Sequence, residues 1–145
     1  MLIYFNYYYI NMECPVCNKS MFILQLFDVE VDYCIECKGI WFDEGEIEAL
    51  LNDKEAGKEF MKSFKKAGKL KEKMRRCPIC KKKMNKVYCG ENGNVLIDEC
   101  KKNHGLWFDG GELQKILTTG NWDKDNRIID FLKDMFKSSI VEEQQ

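Results

Sequence analysis

The chain has 145 residues, 45% of them hydrophobic and 32% charged, with a formal net charge of −1. That composition describes folded globular material, one ordinary domain or two small ones, and excludes a disordered tail. No apolar run is long enough to span a membrane, and the opening MLIYFNYYYIN lacks the positive start, aliphatic run and small-residue cleavage site of a secretory signal.

Residues 1–11 read as an N-terminal extension, with Met12 as an alternative start directly ahead of Glu13-Cys14. A first unit spans 12–52. Its Met21–Phe27 stretch is apolar and β-prone and Val29-Glu30-Val31-Asp32-Tyr33 alternates, which together predict a hairpin. Asp43 is expected to cap a helix over Glu44–Leu51, with Glu46 completing a capping box. In the linker, 53–76, a helical stripe of Phe60, Met61, Phe64, Ala67, Leu70 and Met74 is flanked by lysines and weakened by Gly57 and Gly68. It predicts a basic amphipathic helix. Residues 54–76 hold ten Lys/Arg and three Asp/Glu, so this stretch carries +7 and the rest of the chain −8.

A second unit spans 77–119. Met84–Tyr88 and Val95–Ile97 flank Gly90-Glu91-Asn92-Gly93-Asn94, whose Asn-Gly pair is a hairpin-turn signal. Asp109 and Glu112 repeat the capping arrangement ahead of a helix over Gly110–Leu117. Residues 120–145 predict a helix at Arg127–Lys137 with Ile128, Ile129, Leu132, Met135 and Phe136 on one face, then a polar tail.

The two units are copies. One begins CPVCNKSM and ends CIECKGIWFDEGEIEALL; the other begins CPICKKKM and ends CKKNHGLWFDGGELQKIL. Agreement at this many spaced positions reads as duplication. The expected fold class is small α+β: two ribbons, each a β-hairpin plus a short helix, joined by the basic amphipathic helix and followed by a C-terminal helix.

Units of about forty residues bury too little surface to fold unaided and need a metal, disulfides or a partner. With no secretory signal, the expected compartment is the cytoplasm, where clustered cysteines serve as metal ligands. C-x2-C, sixteen residues, then C-x2-C assigns Cys14, Cys17, Cys34 and Cys37 to one zinc ion. The second unit has C-x2-C, nineteen residues, then C-x3-H, which assigns Cys77, Cys80, Cys100 and the chain's single histidine, His104, to another. Aligning the Gly-x-Trp-Phe-Asp motifs sets Asn103 opposite Cys37, and the longer histidine side chain absorbs the one-residue shift. Cys89 has no counterpart in the first unit and reads as a small buried or half-exposed residue. Two zinc ions per chain, each closed by four protein ligands, leave no open coordination position, so no enzyme activity, catalytic residue or small-molecule substrate is expected. Both sites filled would make the protein about three charges more negative than formal counting gives.

At these residues the chain resembles a zinc-ribbon family named for its likeness to the zinc finger of transcription factor IIB. Its pattern is C-P-x-C, a hairpin, then C-x-x-C-x-G-x-W-[FL]-D-x-G-E-[LI]. Residues 14–51 match almost throughout, and 77–117 match the variant with a histidine just before Gly-x-Trp. The resemblance implies zinc-ribbon folds and zinc binding. It implies a nucleic-acid or transcription role only through the family's general description.

Two function classes follow. In one, a nucleic-acid-associated protein tracks phosphates with Lys62, Lys65, Lys66, Lys69, Lys73, Arg75 and Arg76. In the other, a protein-interaction or scaffold module uses the apolar faces of Phe60–Met74 and Ile128–Phe136 toward each other, a second copy or a protein partner. One ring of each pair, Trp41-Phe42 and Trp107-Phe108, is expected to pack beneath the hairpin and against the following helix in preference to stacking on bases. Lys81-Lys82-Lys83 and Lys101-Lys102 either offset thiolate charge or extend the basic surface.

Overall fold

The computed structural model describes residues 12–70, 72–90 and 92–143 together with the backbone of Ile3–Tyr4; side chains from 136 onward are outside the description. Apart from the backbone of Ile3–Tyr4, the expectations for residues 1–11 as an extension and for Phe136 therefore lie outside the described residues.

Among the described residues eight antiparallel strands form one sheet: β1 (Ile3–Tyr4), β2 (Phe22–Leu26), β3 (Val29–Tyr33), β4 (Ile40–Asp43), β5 (Lys65–Lys66), β6 (Asn85–Cys89), β7 (Val95–Glu99) and β8 (Gly105–Phe108). Their order is β1-β2-β3-β4-β8-β7-β6-β5, so the two units do not sit apart on a tether. They join at β4 and β8. The register pairs Ile40 with Phe108, Trp41 with Trp107 and Phe42 with Leu106. Since Ile40, Trp41 and Phe42 correspond in the repeat to Leu106, Trp107 and Phe108, this register places a pseudo-twofold axis between the two tryptophans.

Alternation along β4 and β8 then sends side chains to opposite faces. Ile40, Phe42, Leu106 and Phe108 join a large core under the helices, and Phe42 meets Phe108 edge-to-face at 5.5 Å. Trp41 and Trp107 turn the other way and pack with Cys14, Cys34, Cys77, Cys100, Met21 and Met84. Both indoles and both phenyl rings are buried. The expected ring of each pair against the helices is the phenylalanine, and the tryptophan, beyond that expectation, is buried on the opposite face.

The helices are α1 (Glu46–Leu51), α2 (Lys54–Lys62), α3 (Glu112–Thr119) and α4 (Arg127–Glu143), the last preceded by a 3-10 turn at Lys124–Asn126. No helix among the described residues is long and apolar enough to cross a membrane. Both short helices start later than the capping reading has it. Gly45 and Gly111 take the N-cap positions with φ of 85° and 87°, a left-handed conformation that the D-x-G-E motif reserves for glycine.

The linker departs most from expectation. It is helical only over Lys54–Lys62; Ser63 Oγ donates to the Phe60 carbonyl at 2.6 Å where α2 ends. Lys65–Lys66 then pairs with Val87–Tyr88 as the sheet's edge, and Ala67 N–H donates to the Lys86 carbonyl at 3.0 Å. The physical reason is that β6 would otherwise expose unpaired backbone, which a strand satisfies and a helix cannot. The stripe splits accordingly: Phe60 is fully buried and meets Trp122 at 5.4 Å, whereas Leu70 and Met74 are exposed. On α4, Ile128, Ile129, Leu132 and Met135 are buried in the same core as Phe60, and the helix runs past the expected end at Lys137 to Glu143.

The duplication also reaches past the motif legible in the sequence. Asp53 accepts the N–H groups of Glu55 and Ala56 to cap α2, and Asp123 accepts those of Ile128 and Ile129 at α4. Each ribbon is thus followed by a second, aspartate-capped helix on the same face.

The central joint leaves no room for a methyl group. A Cβ at Gly39 would run into the Trp107 indole, and one at Gly105 into the Trp41 indole and the Phe42 carbonyl. Gly39→Ala and Gly105→Ala are each expected to lower unfolding free energy by roughly 1–3 kcal/mol, as overpacking does. Gly68→Ala, with no atom within 4 Å of the added carbon, is expected to stay within about 0.5 kcal/mol. Urea denaturation of the metal-loaded protein, read as a midpoint shift at constant slope, checks both.

Candidate metal centres

Four tight turns supply the candidate ligands. In the first three, an N–H four residues on closes onto the carbonyl of the leading cysteine: Asn18 to Cys14 at 2.9 Å, Lys38 to Cys34 at 2.8 Å, Lys81 to Cys77 at 2.8 Å. The closing residue is left-handed each time, with φ of 60°, 66° and 62°. The turn folds backbone N–H groups back onto the leading sulfur, those of Val16 and Cys17 reaching Cys14 Sγ at 3.3 Å and that of Ile79 reaching Cys77 Sγ at 3.4 Å. Such donors favour a thiolate.

The hairpins bring these turns together in pairs. The ligand atoms of Cys14, Cys17, Cys34 and Cys37 lie within 4.8 Å of one another, as do those of Cys77, Cys80, Cys100 and His104. In each group the leading cysteine is buried and its partner half-buried. Thiolates around a tetrahedral ion at about 2.3 Å stand about 3.8 Å apart. Cys14 and Cys37 are 3.6 Å apart, and Cys80 and Cys100 3.8 Å, so both cages fit such an ion.

The fourth turn explains the histidine. Its closing bond comes one residue early, from Asn103 N–H to the Cys100 carbonyl at 3.1 Å, with Asn103 at φ 60°. Asn103 takes the left-handed bend where the first unit has Cys37, and the next side chain reaches the cage instead. His104 Nδ1 stands 3.5 Å from Cys100 Sγ and 3.9 Å from Cys77 Sγ. Cys89, by contrast, is buried in the helix-side core, paired across from Val95. Burial pushes its thiol up to about 12.

Behind each cage runs the same polar relay. Trp41 Nε1–H donates to Asp43 Oδ1 at 2.8 Å, and Asp43 N–H donates to Glu46 Oε2 at 2.8 Å. Trp107, Asp109 and Glu112 repeat it at 2.9 and 2.8 Å. Half of the expected capping box therefore forms. The glutamate does reach back, but the aspartate side chain holds the indole and caps no helix. The motif W-F-D-x-G-E thus fixes the tryptophan that underlies the metal cages.

The basic residues are not on one face. Lys62 ends α2 beside the α1–α2 groove. Lys65 and Lys66 form the edge strand, and Lys66 shares a hollow with Lys69. Lys73, Arg75 and Arg76 line a different cleft. All are exposed except the half-buried Arg75. Sequence reasoning did not single out Lys86, whose Nζ lies 2.8 Å from Oδ1 of buried Asp98. The repeat offered a signal, since the first unit has Ile23 across from Asp32 where the second has Lys86 across from Asp98.

Two closed four-ligand cages under paired tryptophans, each built on a hairpin and backed by a short helix, define a tandem ribbon protein. The family described as transcription factor zinc-finger matches residues 13–53 and 76–119. The match covers more than half of the chain, and the protein belongs to that family. No curated protein and no solved structure matches it.

The relay glutamates set a pH dependence. Burial first, then Asp43, Asp32 and Glu30, raise Glu46 to about 7 against the pull of the Asp43 N–H. Burial, Asp109 and Asp98 raise Glu112 to about 8 against the Asp109 N–H and Lys86. A carboxyl raised on folding keeps a proton that the unfolded chain releases above about pH 4.3, so stability falls as pH rises toward the folded value, and the loss is complete above it. Glu112→Gln keeps the acceptor without the charge. Relative to wild type it is expected to gain stability steadily from pH 6 to about pH 8 and to level off by pH 9, measured by urea denaturation at saturating metal; a constant difference from pH 6 to pH 8 would contradict the assignment.

Proposed function

We propose that both cages hold zinc as a structural ion and that the protein works as a nucleic-acid-associated zinc-ribbon protein with no catalytic step. All-thiolate and three-thiolate, one-imidazole sets suit tetrahedral zinc, and four protein ligands leave no position for an activated water. The family's description as a transcription factor zinc-finger agrees with this reading.

The observation that carries the nucleic-acid part is the clamping of the basic segment. Lys65 and Lys66 are held by pairing with β6, and Arg76 bridges to Lys83. Their charges stand on the second ribbon's edge without the ordering cost of a flexible tether, and phosphate contacts draw on charges already in place. The alternative, a scaffold built on the apolar faces of the linker and C-terminal helices, loses support because Phe60, Ile128, Ile129, Leu132 and Met135 are buried inside the chain.

Elemental analysis of the purified protein is expected to give two zinc per chain. Cys100→Ala with His104→Ala is expected to leave one, and retention of both would refute the second site. Chelation is expected to unfold the ribbons, since the ions supply much of their folding free energy. In a gel shift, labelled single- and double-stranded DNA and RNA are expected to bind at low salt and to dissociate as salt rises. Neutralising Lys62, Lys65, Lys66 and Lys69 together is expected to weaken that binding; absence of any shift at low salt would overturn the nucleic-acid reading.

A further inference from the structure

The pseudo-twofold axis relates the leading turns of the two ribbons, Cys14–Asn18 and Cys77–Lys81. Between them lies a cleft of about 350 Å³. Its walls come from equivalent positions of the repeat but differ in charge. Glu13 and Asn18 line the first ribbon's side, and Arg76 and Lys81 occupy the matching places on the second, with Lys73 and Arg75 added by the end of the linker.

Three observations point to an anionic ligand. First, four cations face one carboxylate across the cleft. Second, Arg75 Nε is shielded from solvent and has no hydrogen-bond partner among the described residues, while Arg76 Nη1 is fixed at 3.0 Å on the Lys81 carbonyl. The cleft is therefore lined by two arginines, one with a buried Nε and a charge that also acts on buried Asp98, the other pinned in place. Third, Lys81 sits at φ 62° in a left-handed turn that Asn18 fills in the other ribbon. The turn accepts either residue, as Lys38 at φ 66° also shows, so the exchange of asparagine for lysine adds a cation to the cleft without altering the backbone.

Neutralisation of thiolate charge does not explain these cations. The all-cysteine site would carry the larger negative charge, −2 against −1. Yet its turns carry Glu13, Lys19, Glu36 and Lys38, which cancel, while the second ribbon's carry Arg76, Lys81, Lys82, Lys83, Lys101 and Lys102 against the single Glu99. The excess is at the site that needs it less.

We propose that this cleft between the leading turns is the primary phosphate-binding site, gripping the phosphodiester backbone of a nucleic-acid strand through Arg75, Arg76 and Lys81, with the linker lysines as secondary contacts. The proposal rests on the nucleic-acid reading above and narrows it to a site that the linker does not form alone. Free inorganic phosphate has the same chemistry as a backbone phosphate but lacks the neighbouring groups, so it should compete only weakly.

The test exchanges residues between the repeats. Arg76→Glu with Lys81→Asn gives the second ribbon the residues of the first, at positions whose backbone already accepts them. Fluorescence polarisation with a labelled twelve-nucleotide single strand, DNA and RNA in turn, is read across a salt series alongside zinc content and thermal midpoint. The double variant is expected to keep two zinc and its midpoint, to bind at least about tenfold more weakly, and to lose about two units from the slope of log K on log salt, about one per cation removed. The converse change, Glu13→Arg, is expected to tighten binding several-fold. Affinity within twofold of wild type in both variants, with loss confined to a Lys65, Lys66, Lys69 triple alanine variant, would overturn the cleft and leave the nucleic-acid reading standing. No binding by the wild-type protein at low salt would overturn both. Displacement of the strand by millimolar inorganic phosphate at constant ionic strength would identify a small-anion site instead and overturn the proposal.

Discussion

Four residues of one ribbon pair with four of the other, Ile40 to Asp43 against Phe108 to Gly105, and most of the molecule is organised around that ladder. Antiparallel pairing of two copies of the same strand, with Trp41 facing Trp107, generates the pseudo-twofold. It removes the free edge that each three-stranded ribbon would leave at β4 or β8. It also decides which side chains share a face, because alternation along the strand follows from register. A shift by one residue would move the tryptophans under the helices and the phenylalanines toward the sulfurs.

The two faces solve different problems. On the helix side, residues from both hairpins, all four helices and Trp122 merge into one core, which neither unit could build from forty residues. On the other side there is no helix among the described residues, and the covering layer consists of the four turns that carry the candidate ligands. Trp41 and Trp107 underlie both cages at once. The glycines opposite the indoles, Gly39 and Gly105, make that close approach possible. A metal held in either cage would therefore be coupled to sheet formation, because it would tie to one another the turns that cover the tryptophans.

Duplication gave the two halves the same frame, and their differences are concentrated where the frame does not constrain them. The hydrogen-bonded relay of tryptophan, aspartate and glutamate is the same in both to within 0.1 Å. The turn residues facing the axis, in contrast, differ in charge, as do Ile23 and Lys86 on the equivalent strands β2 and β6. The exposed turn positions tolerate such a change at little cost and Lys86 is met by Asp98, whereas a relay residue does not change freely, because its loss would leave a buried indole N–H or a backbone N–H without a partner.

The ligand sets, both hairpins, the inward aromatics and the existence of two helix-bearing copies were legible in the sequence, because each depends on spacing within a short segment. Cysteine pairs two residues apart, strands of alternating polarity and an Asn-Gly turn carry their geometry locally. Even the shift at His104 was readable from the alignment of the repeats, although its cause, an early left-handed bend at Asn103, is a backbone fact. The linker was misread over its second half because the spacing from Phe64 to Met74 suits a helix, and no local signal reports that β6 lacks a neighbour. The caps at Asp53 and Asp123 were missed because they follow the recognisable motif. The partner of Ile40–Asp43 was not legible at all, since an apolar four-residue strand pairs equally well with many others on local grounds. Sequence by itself determined the two cages and the elements that carry them. Tertiary structure decided that they share one sheet, one pair of tryptophans and one cleft, because pairing between distant strands depends on which edges remain unsatisfied once each unit has folded.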